Sequence, residues 1–234
     1  MNNNKKGGRK YRHFFKTIMN VILISFISIC LWEMLQKQIE YNKNNECYGQ
    51  IQQEKREAKN INKLLSDNNC DWITINDTAI NYPLMKSTDN DYYITHNYKG
   101  EDDIGGAIFY DCYDEPYNGT FTIIYGHSMR NGTMFNNLHF FKKDKQKFNN
   151  SILEITTIDN KKEYEPLAYY VTSNDLYYRD LDNTSTIEAI DTIKEKSDYF
   201  IEKDNIKENA HIIALYTCDY SIKNGRLIVF YIEK

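Results

Sequence analysis

Apolar positions along this chain follow three rhythms, and each predicts a different kind of element. Residues 17–32, TIMNVILISFISICLW, are almost continuously apolar, with Asn20 the main interruption. Extended to Phe14–Leu35, the run covers about 22 residues, enough to cross a bilayer core of roughly 30 Å as a helix. Residues 35–66 then place Ile51, Ala58, Ile61 and Leu65 on one helical face with charges elsewhere, which predicts one helix or two, as a stalk or packed on the domain. Asp67-Asn68-Asn69 ends that pattern.

From Trp72 the period drops to two. Trp72–Ile75 and Ile80–Leu84 alternate around an Asn76-Asp77 turn, with Pro83 at an edge or strand end. Asp89–Ile94 predicts a short helical turn capped by Asp89 or Asn90. Gly105–Asp111 reads as a strand entered through glycines, 111–120 as a loop, and Thr120–Tyr125 as a strand ending in Gly126-His127-Ser128-Met129. Met134, Phe135, Leu138 and Phe141 return to helical spacing. Strands at 152–157 and 162–171 flank an Asp159-Asn160 turn, and 173–183 is a polar loop. A helix is predicted at 185–202, capped by Ser185 or Thr186, with Ile187, Ile190, Ile193, Phe200 and Ile201 facing inward. Two final strands, within His211–Tyr231, flank a short polar turn. About eight short strands with one or two inserted helices predict a β-barrel or sandwich.

Charge changes the picture at the N-terminus. The first 16 residues hold Lys5, Lys6, Arg9, Lys10, Arg12 and Lys16 and no acid. The formal net charge is −4 overall, so the remainder carries −10. An acidic body argues against a nucleic-acid partner, while a basic block beside an apolar run points to a membrane. The positive-inside rule then leaves residues 1–13 as a cytoplasmic tail, 14–35 as a single-pass signal anchor, 36–69 as helical stalk and 70–234 as an extracellular β-rich domain. A cleaved signal peptide is the competing reading, but no A-x-A-like site follows the apolar core. A buried soluble helix is the other, and the basic block opposes it.

The cysteines are read against an extracellular compartment. Cys30 falls in the anchor, and Cys47, Cys70, Cys112 and Cys218 in the body. Their spacings match no disulfide framework and include no C-x-x-C, so a zinc or redox motif is unsupported, and no cofactor is implied. Cys218 reads as free; the pairing of the other three is left open.

Cys218 is the candidate for chemistry because it closes an apolar strand at a rim, although a lone cysteine is commonly a small buried hydrophobe. A thiol nucleophile needs a base or a cation beside it. His96 lies in a polar loop and His139 in a Phe-rich turn, where packing or capping is the ordinary role. His211 lies seven residues before Cys218, more than ~20 Å along an extended strand. His127 follows one strand as Cys218 follows another, so neighbouring strands would bring them to one rim; a structural histidine is the alternative. Arg226 opens the last strand, where an arginine is ordinarily solvated, but its fork of donors could hold a carbonyl and a developing oxyanion. Asp219, next to Cys218, could face the other way.

These residues resemble a family. Trp72-Ile73-Thr74-Ile75 with Ile80-Asn81-Tyr82-Pro83 is similar to the opening strands of class B sortases, membrane-anchored cysteine transpeptidases of Gram-positive bacteria. Asp89-Asn90 with Tyr93-Ile94 resembles their D-N-x-x-Y-L turn, and Gly106-Ala107-Ile108-Phe109-Tyr110-Asp111 their G-x-I-F-x-D strand. Tyr125-Gly126-His127-Ser128-Met129 with Met134-Phe135-Asn136-Asn137-Leu138 resembles Y-G-H-x-M…M-F-x-x-L. Leu215-Tyr216-Thr217-Cys218 resembles T-L-x-T-C, with Ala214 where Thr is usual, and Arg226 stands where the family's arginine follows.

The resemblance implies a mainly β fold: an eight-stranded sortase barrel with N-terminal helices and one inserted helix, behind a transmembrane anchor. It implies His127, Cys218 and Arg226 as the catalytic set, and Asn90, Ile94, Tyr216 and Asp219 as substrate contacts. It implies cleavage after Thr in a C-terminal sorting pentapeptide of a secreted protein, a thioacyl-enzyme on Cys218, and transfer to an amine of peptidoglycan or its lipid-linked precursor. No metal is implied. A catalytically silent sortase-like binding module and a cell-wall Cys-His peptidase are the alternatives, and pilin polymerisation is a variant of the transpeptidase.

Overall fold

A computed structural model describes residues 4–114, 119–173, 181, 184–204 and 206–234, with side chains from Tyr11 onward. Parts of the loops expected at 111–120 and 173–183 lie outside the described residues. The chain divides into two compact units, Met1–Lys43 and Asn44–Lys234.

The first unit is helical, part of helix α1 (Asn4–Glu57). It is long and apolar enough to cross a membrane, with a mean hydropathy of 2.1 in its most apolar window. Phe14, Ile22, Leu23, Phe26 and Trp32 all stand exposed. Thr17, Ser25 and Ser28 donate their hydroxyls to the carbonyls of His13, Val21 and Ile24, one turn back, so these polar groups need no water.

In the second unit, Asn44, Cys47, Tyr48 and Ile51 of α1 are buried at the i, i+3, i+4, i+7 spacing of one helical stripe. The helix ends at Glu57. Asn60 caps a second helix, α2 (Ile61–Asn68), by accepting from the Asn62 N–H. The predicted pair of helices is therefore present, and Ile51 and Leu65 are fully buried.

The strands are β1 (Asp71–Ile75), β2 (Asn81–Met85), β3 (Ile108–Tyr110), β4 (Phe121–Tyr125), β5 (Leu153–Thr156), β6 (Lys161–Thr172), β7 (Tyr199–Phe200), β8 (Ile212–Asp219) and β9 (Gly225–Glu233). Eight of them run β5-β1-β2-β3-β4-β8-β9-β6, and β6 pairs back on β5, which closes the barrel. The two-residue β7 is appended to β6. Closure leaves no long edge for another chain to pair with. Two pairs carry the candidate residues: β4 runs parallel to β8, and β8 antiparallel to β9.

The short helices are α3 (Tyr92–Thr95), α4 (His139–Lys143), α5 (Lys145–Asn149) and α6 (Thr186–Lys196), with a 3₁₀ turn at Phe135–Leu138 before α4. The α3 turn is held by Asp89, whose carboxylate accepts from the N–H groups of Asp91 and Tyr92. Ser185 and Glu188 form a reciprocal capping box at the start of α6.

Two expectations for 185–202 need correction. The helix stops at Lys196 because Ser197 turns extended, and Asp198 and Ile201 then bond to β6 through main-chain groups. Ile187 is 54% exposed; Ile190 and Ile193 are the buried residues. With Ala189 they cover the outer faces of β4, β8, β9 and β6, where Phe121, Ile212, Ala214, Ile228 and Phe230 form one apolar cluster. Tyr125 and Tyr216 pack at its margin.

Candidate active site

Strand register assembles the site. In the β8–β9 pair Cys218 stands directly opposite Arg226, so their side chains emerge on the same face. In the parallel β4–β8 pair Tyr125 aligns with Tyr216. Two residues further on, one strand delivers His127 and the other Cys218. The ladder is carried one step past Tyr125: the Gly126 N–H donates to the Tyr216 carbonyl at 3.2 Å, and the Thr217 hydroxyl donates to the Gly126 carbonyl at 2.7 Å. Gly126 has to be glycine, because a Cβ there would lie 2.6 Å from the Phe135 ring.

His127, Cys218 and Arg226 line one open groove of about 320 Å³, with Tyr125, Tyr216, Phe109 and Ala107 supplying its apolar walls. Tyr125 and Tyr216 meet edge to face, their ring centroids 5.4 Å apart. All three polar residues are half-buried, open to a ligand yet shielded from bulk water. Arg226 spends one N–H on the Gly225 carbonyl at 3.1 Å. Its guanidinium carries five donors, so the fork remains available to a substrate.

His127 Nε2 lies 2.8 Å from the Ile94 carbonyl. A carbonyl only accepts, so Nε2 carries a hydrogen in this contact, and Nδ1 is the nitrogen whose protonation can change. Gly106 sets that carbonyl in place. It holds φ +55°, and a Cβ would meet the Ile94 oxygen at 2.6 Å and the Tyr93 oxygen at 2.3 Å.

The four expected substrate contacts divide. Asn90, Ile94 and Tyr216 line the groove. Asn90 is also tied into the wall: its amide donates to Asp111 at 3.2 Å, and its oxygen accepts from the Cys112 N–H at 2.8 Å. Asp219 does not line the groove. Its side chain is 1% exposed and accepts from Lys142 and Ser221 on the opposite side of β8. Burial alone would raise its pKa, but those hydrogen bonds hold the carboxyl below the usual carboxylate range.

Sequence reasoning missed Tyr125, Phe109 and Thr217 as site residues. Period-two alternation carried the signal, since Tyr125 and Tyr216 share the face of their strands that ends in His127 and Cys218. It also missed the polar partners of His139, expected only to pack or cap in a Phe-rich turn: the ring lies behind the site, against Ser128 and Asp219. The other two histidines of the second unit stand apart. His96 stacks on Tyr92 with ring centroids 4.2 Å apart, and His211 is buried between Thr122 and Tyr164. Among the described residues no disulfide forms, and no cluster of three or more potential ligands could hold a metal ion.

Known proteins match this arrangement. The family profile described as Sortase domain covers residues 73–231. Sortase B of Listeria monocytogenes is 33% identical over 187 residues, spanning 77% of this chain and 74% of that protein. Sortase B of Staphylococcus aureus is 28% identical over 234 residues, spanning 92% of this chain and 95% of that protein. The crystal structure of sortase B from B. anthracis in complex with AAEK1 superposes with a TM-score of 0.70 at 31% identity, covering 83% of this chain and 98% of that one. A closed eight-stranded barrel, a thiol facing an arginine across β8–β9 and these matches agree: the chain belongs to the sortase family, on its class B branch, and is a cysteine transpeptidase of cell-wall sorting.

Proposed function

We propose that Cys218, His127 and Arg226 carry the transpeptidation. The observation behind this is the register that sets Arg226 opposite Cys218 and brings His127 to the same rim. The Cys218 thiolate attacks the carbonyl carbon of a Thr residue in the C-terminal sorting pentapeptide of a secreted protein. The C–S bond forms as the carbonyl becomes an oxyanion, and the Arg226 fork donates to that oxygen and to the peptide backbone. The C–N bond then breaks. His127 gives a proton to the leaving amine, with Nδ1 as the exchanging atom because Nε2 is held by Ile94. A thioacyl-enzyme remains. An amine of peptidoglycan or its lipid-linked precursor attacks it, passes a proton to His127 and releases the Cys218 thiolate.

Asn90, Ile94 and Tyr216 contact the sorting peptide in this reading, supported by their place along the groove. Asp219 is buried away from it and serves the scaffold instead. The apolar stretch 14–35 spans the membrane once, residues 1–13 lie in the cytoplasm, and the barrel works outside, where both substrates are found. The basic N-terminal block and the length of the apolar helix support this topology.

Replacing Cys218 with Ala is the direct test. Cleavage of a sorting-motif peptide should fall by at least ~10⁴-fold. Cleavage that persists in this variant removes Cys218 from the mechanism. Adding an amine nucleophile to the wild-type enzyme should divert product from hydrolysis to aminolysis; a cell-wall peptidase would keep hydrolysing, and a silent binding module would do neither.

A further inference from the structure

The ladder between β4 and β8 ends before the reacting groups. Its last rungs join Gly126 to Tyr216 and Thr217, and His127 and Cys218 both lie beyond them. The separation of thiol and imidazole therefore needs another support.

That support lies on the buried side. The residue after each reacting group turns inward: Ser128 is 5% exposed and Asp219 is 2% exposed. His139, the first residue of α4, sits between them. Its Nε2 is 3.0 Å from the Ser128 hydroxyl, and its Nδ1 is 3.4 Å from the Asp219 carboxylate.

The hydrogen bonds run in one direction. Asn136 Nδ2 donates to the Ser128 oxygen at 3.2 Å. Ser128 can then give its own hydrogen to His139 Nε2, which leaves Nδ1 to carry its hydrogen on the side of the Asp219 carboxylate, 3.4 Å away. Burial, with Lys142 and Lys143 nearby, lowers the pKa of His139 against the opposing pull of Asp219. This favours the neutral ring that such a chain requires. The 3₁₀ turn that leads into α4 is itself hooked to the β4 end, since the Phe135 N–H donates to the His127 carbonyl at 2.8 Å.

We propose that His139 is a positioning residue: by bridging Ser128 and Asp219 it clamps together the two strand ends that present His127 and Cys218. It touches no substrate. It acts by fixing the spacing over which a proton and a thiolate must cooperate, where an error of about 1 Å can cost up to ~100-fold in rate. The proposal rests on the catalytic roles of Cys218 and His127.

The test uses the full chain in detergent with a sorting-motif peptide and an amine acceptor. His139→Phe keeps a ring but no nitrogen, His139→Gln can still reach Ser128, and Ser128→Ala removes one oxygen from the bridge. His139→Phe should lower kcat roughly 10- to 100-fold with KM little changed. Its pH profile of Cys218 alkylation by iodoacetamide should move toward that of His127→Ala. His139→Gln should recover part of both. Ser128→Ala should move both in the same direction by less, and it carries the test if His139→Phe does not fold. A merely structural role would lower Tm without moving the alkylation profile of the folded enzyme. Wild-type kcat and an unmoved profile in folded His139→Phe, or in Ser128→Ala when His139→Phe does not fold, overturn the clamp. If Cys218→Ala is inactive in the same assay, that result leaves the catalytic reading standing; if Cys218→Ala is active, both fall.

Discussion

The ends of β4 and β8 present two faces with opposite chemistry. On the groove face Tyr216, Cys218, Arg226 and His127 are half-buried, and the donors of Arg226 remain largely available to a ligand. On the inner face Thr217, Asp219 and Ser128 are buried, and their polar groups engage Gly126, Lys142, Ser221, Asn136 and His139. Neighbours in sequence thus have unrelated jobs, because a strand sends successive side chains to opposite sides. The inner face satisfies its own polar groups, while the groove face keeps donors free for a ligand.

The largest effect that breaks this division should come from the groove. Arg226→Lys keeps the charge but loses the planar fork, and kcat should fall roughly 10²- to 10³-fold while the fold survives. Steady-state kinetics with a sorting peptide, beside a thermal melt, checks both halves. Near-normal turnover would make Arg226 a surface residue.

Away from the His139 bridge, the inner face should answer in stability instead. His211, the residue that leads into β8, is 3% exposed. Burial, helped by Lys162, pushes its pKa down from 6.5 to about 4. The unfolded chain therefore takes up this proton first. Stability should be full above the unfolded value, fall as pH drops toward about 4, and flatten below, with a span on the order of 3 kcal/mol. Urea midpoints measured between neutral pH and pH 4 should show this slope, and His211→Gln should reduce it.

A smaller response is expected from Asp219. Its carboxyl is held below the usual range, so its contribution is present above about pH 4 and is lost as pH falls through the folded value. Asp219→Asn should cost about 2 kcal/mol near neutrality, since Lys142 loses its partner but can still reach water. The peptide KM should stay close to wild type. A rise in KM with unchanged stability would return Asp219 to the substrate groove.

Much of this is legible in the sequence. Period-two alternation locates the β-rich body, and the matching positions of His127 and Cys218 after their strands indicate a shared rim. The resemblance of the motifs to class B sortases supplies the barrel. Other features depend on contacts between distant residues. Nothing local reveals that β6 pairs with β5 over its first part and with β7 further along. The predicted helix overruns Thr186–Lys196 because Phe200 and Ile201 continue an apolar pattern, although Phe200 belongs to β7. The side to which Asp219 turns follows from alternation once Cys218 is assigned to the groove. His139 carries no such signal: its partners lie 11 and 80 residues away in the chain, and only the fold brings them together.

In the proposed reaction the Cys218 sulfur becomes acylated by a sorting peptide and is then released by an amine. Mass spectrometry of the full chain, quenched during turnover and digested, tests it most directly. A peptidyl adduct should appear on the fragment containing Cys218, disappear when an amine acceptor is added, and be missing from Cys218→Ala. No adduct during turnover, or an adduct on Cys30, Cys47, Cys70 or Cys112 instead, would contradict the account.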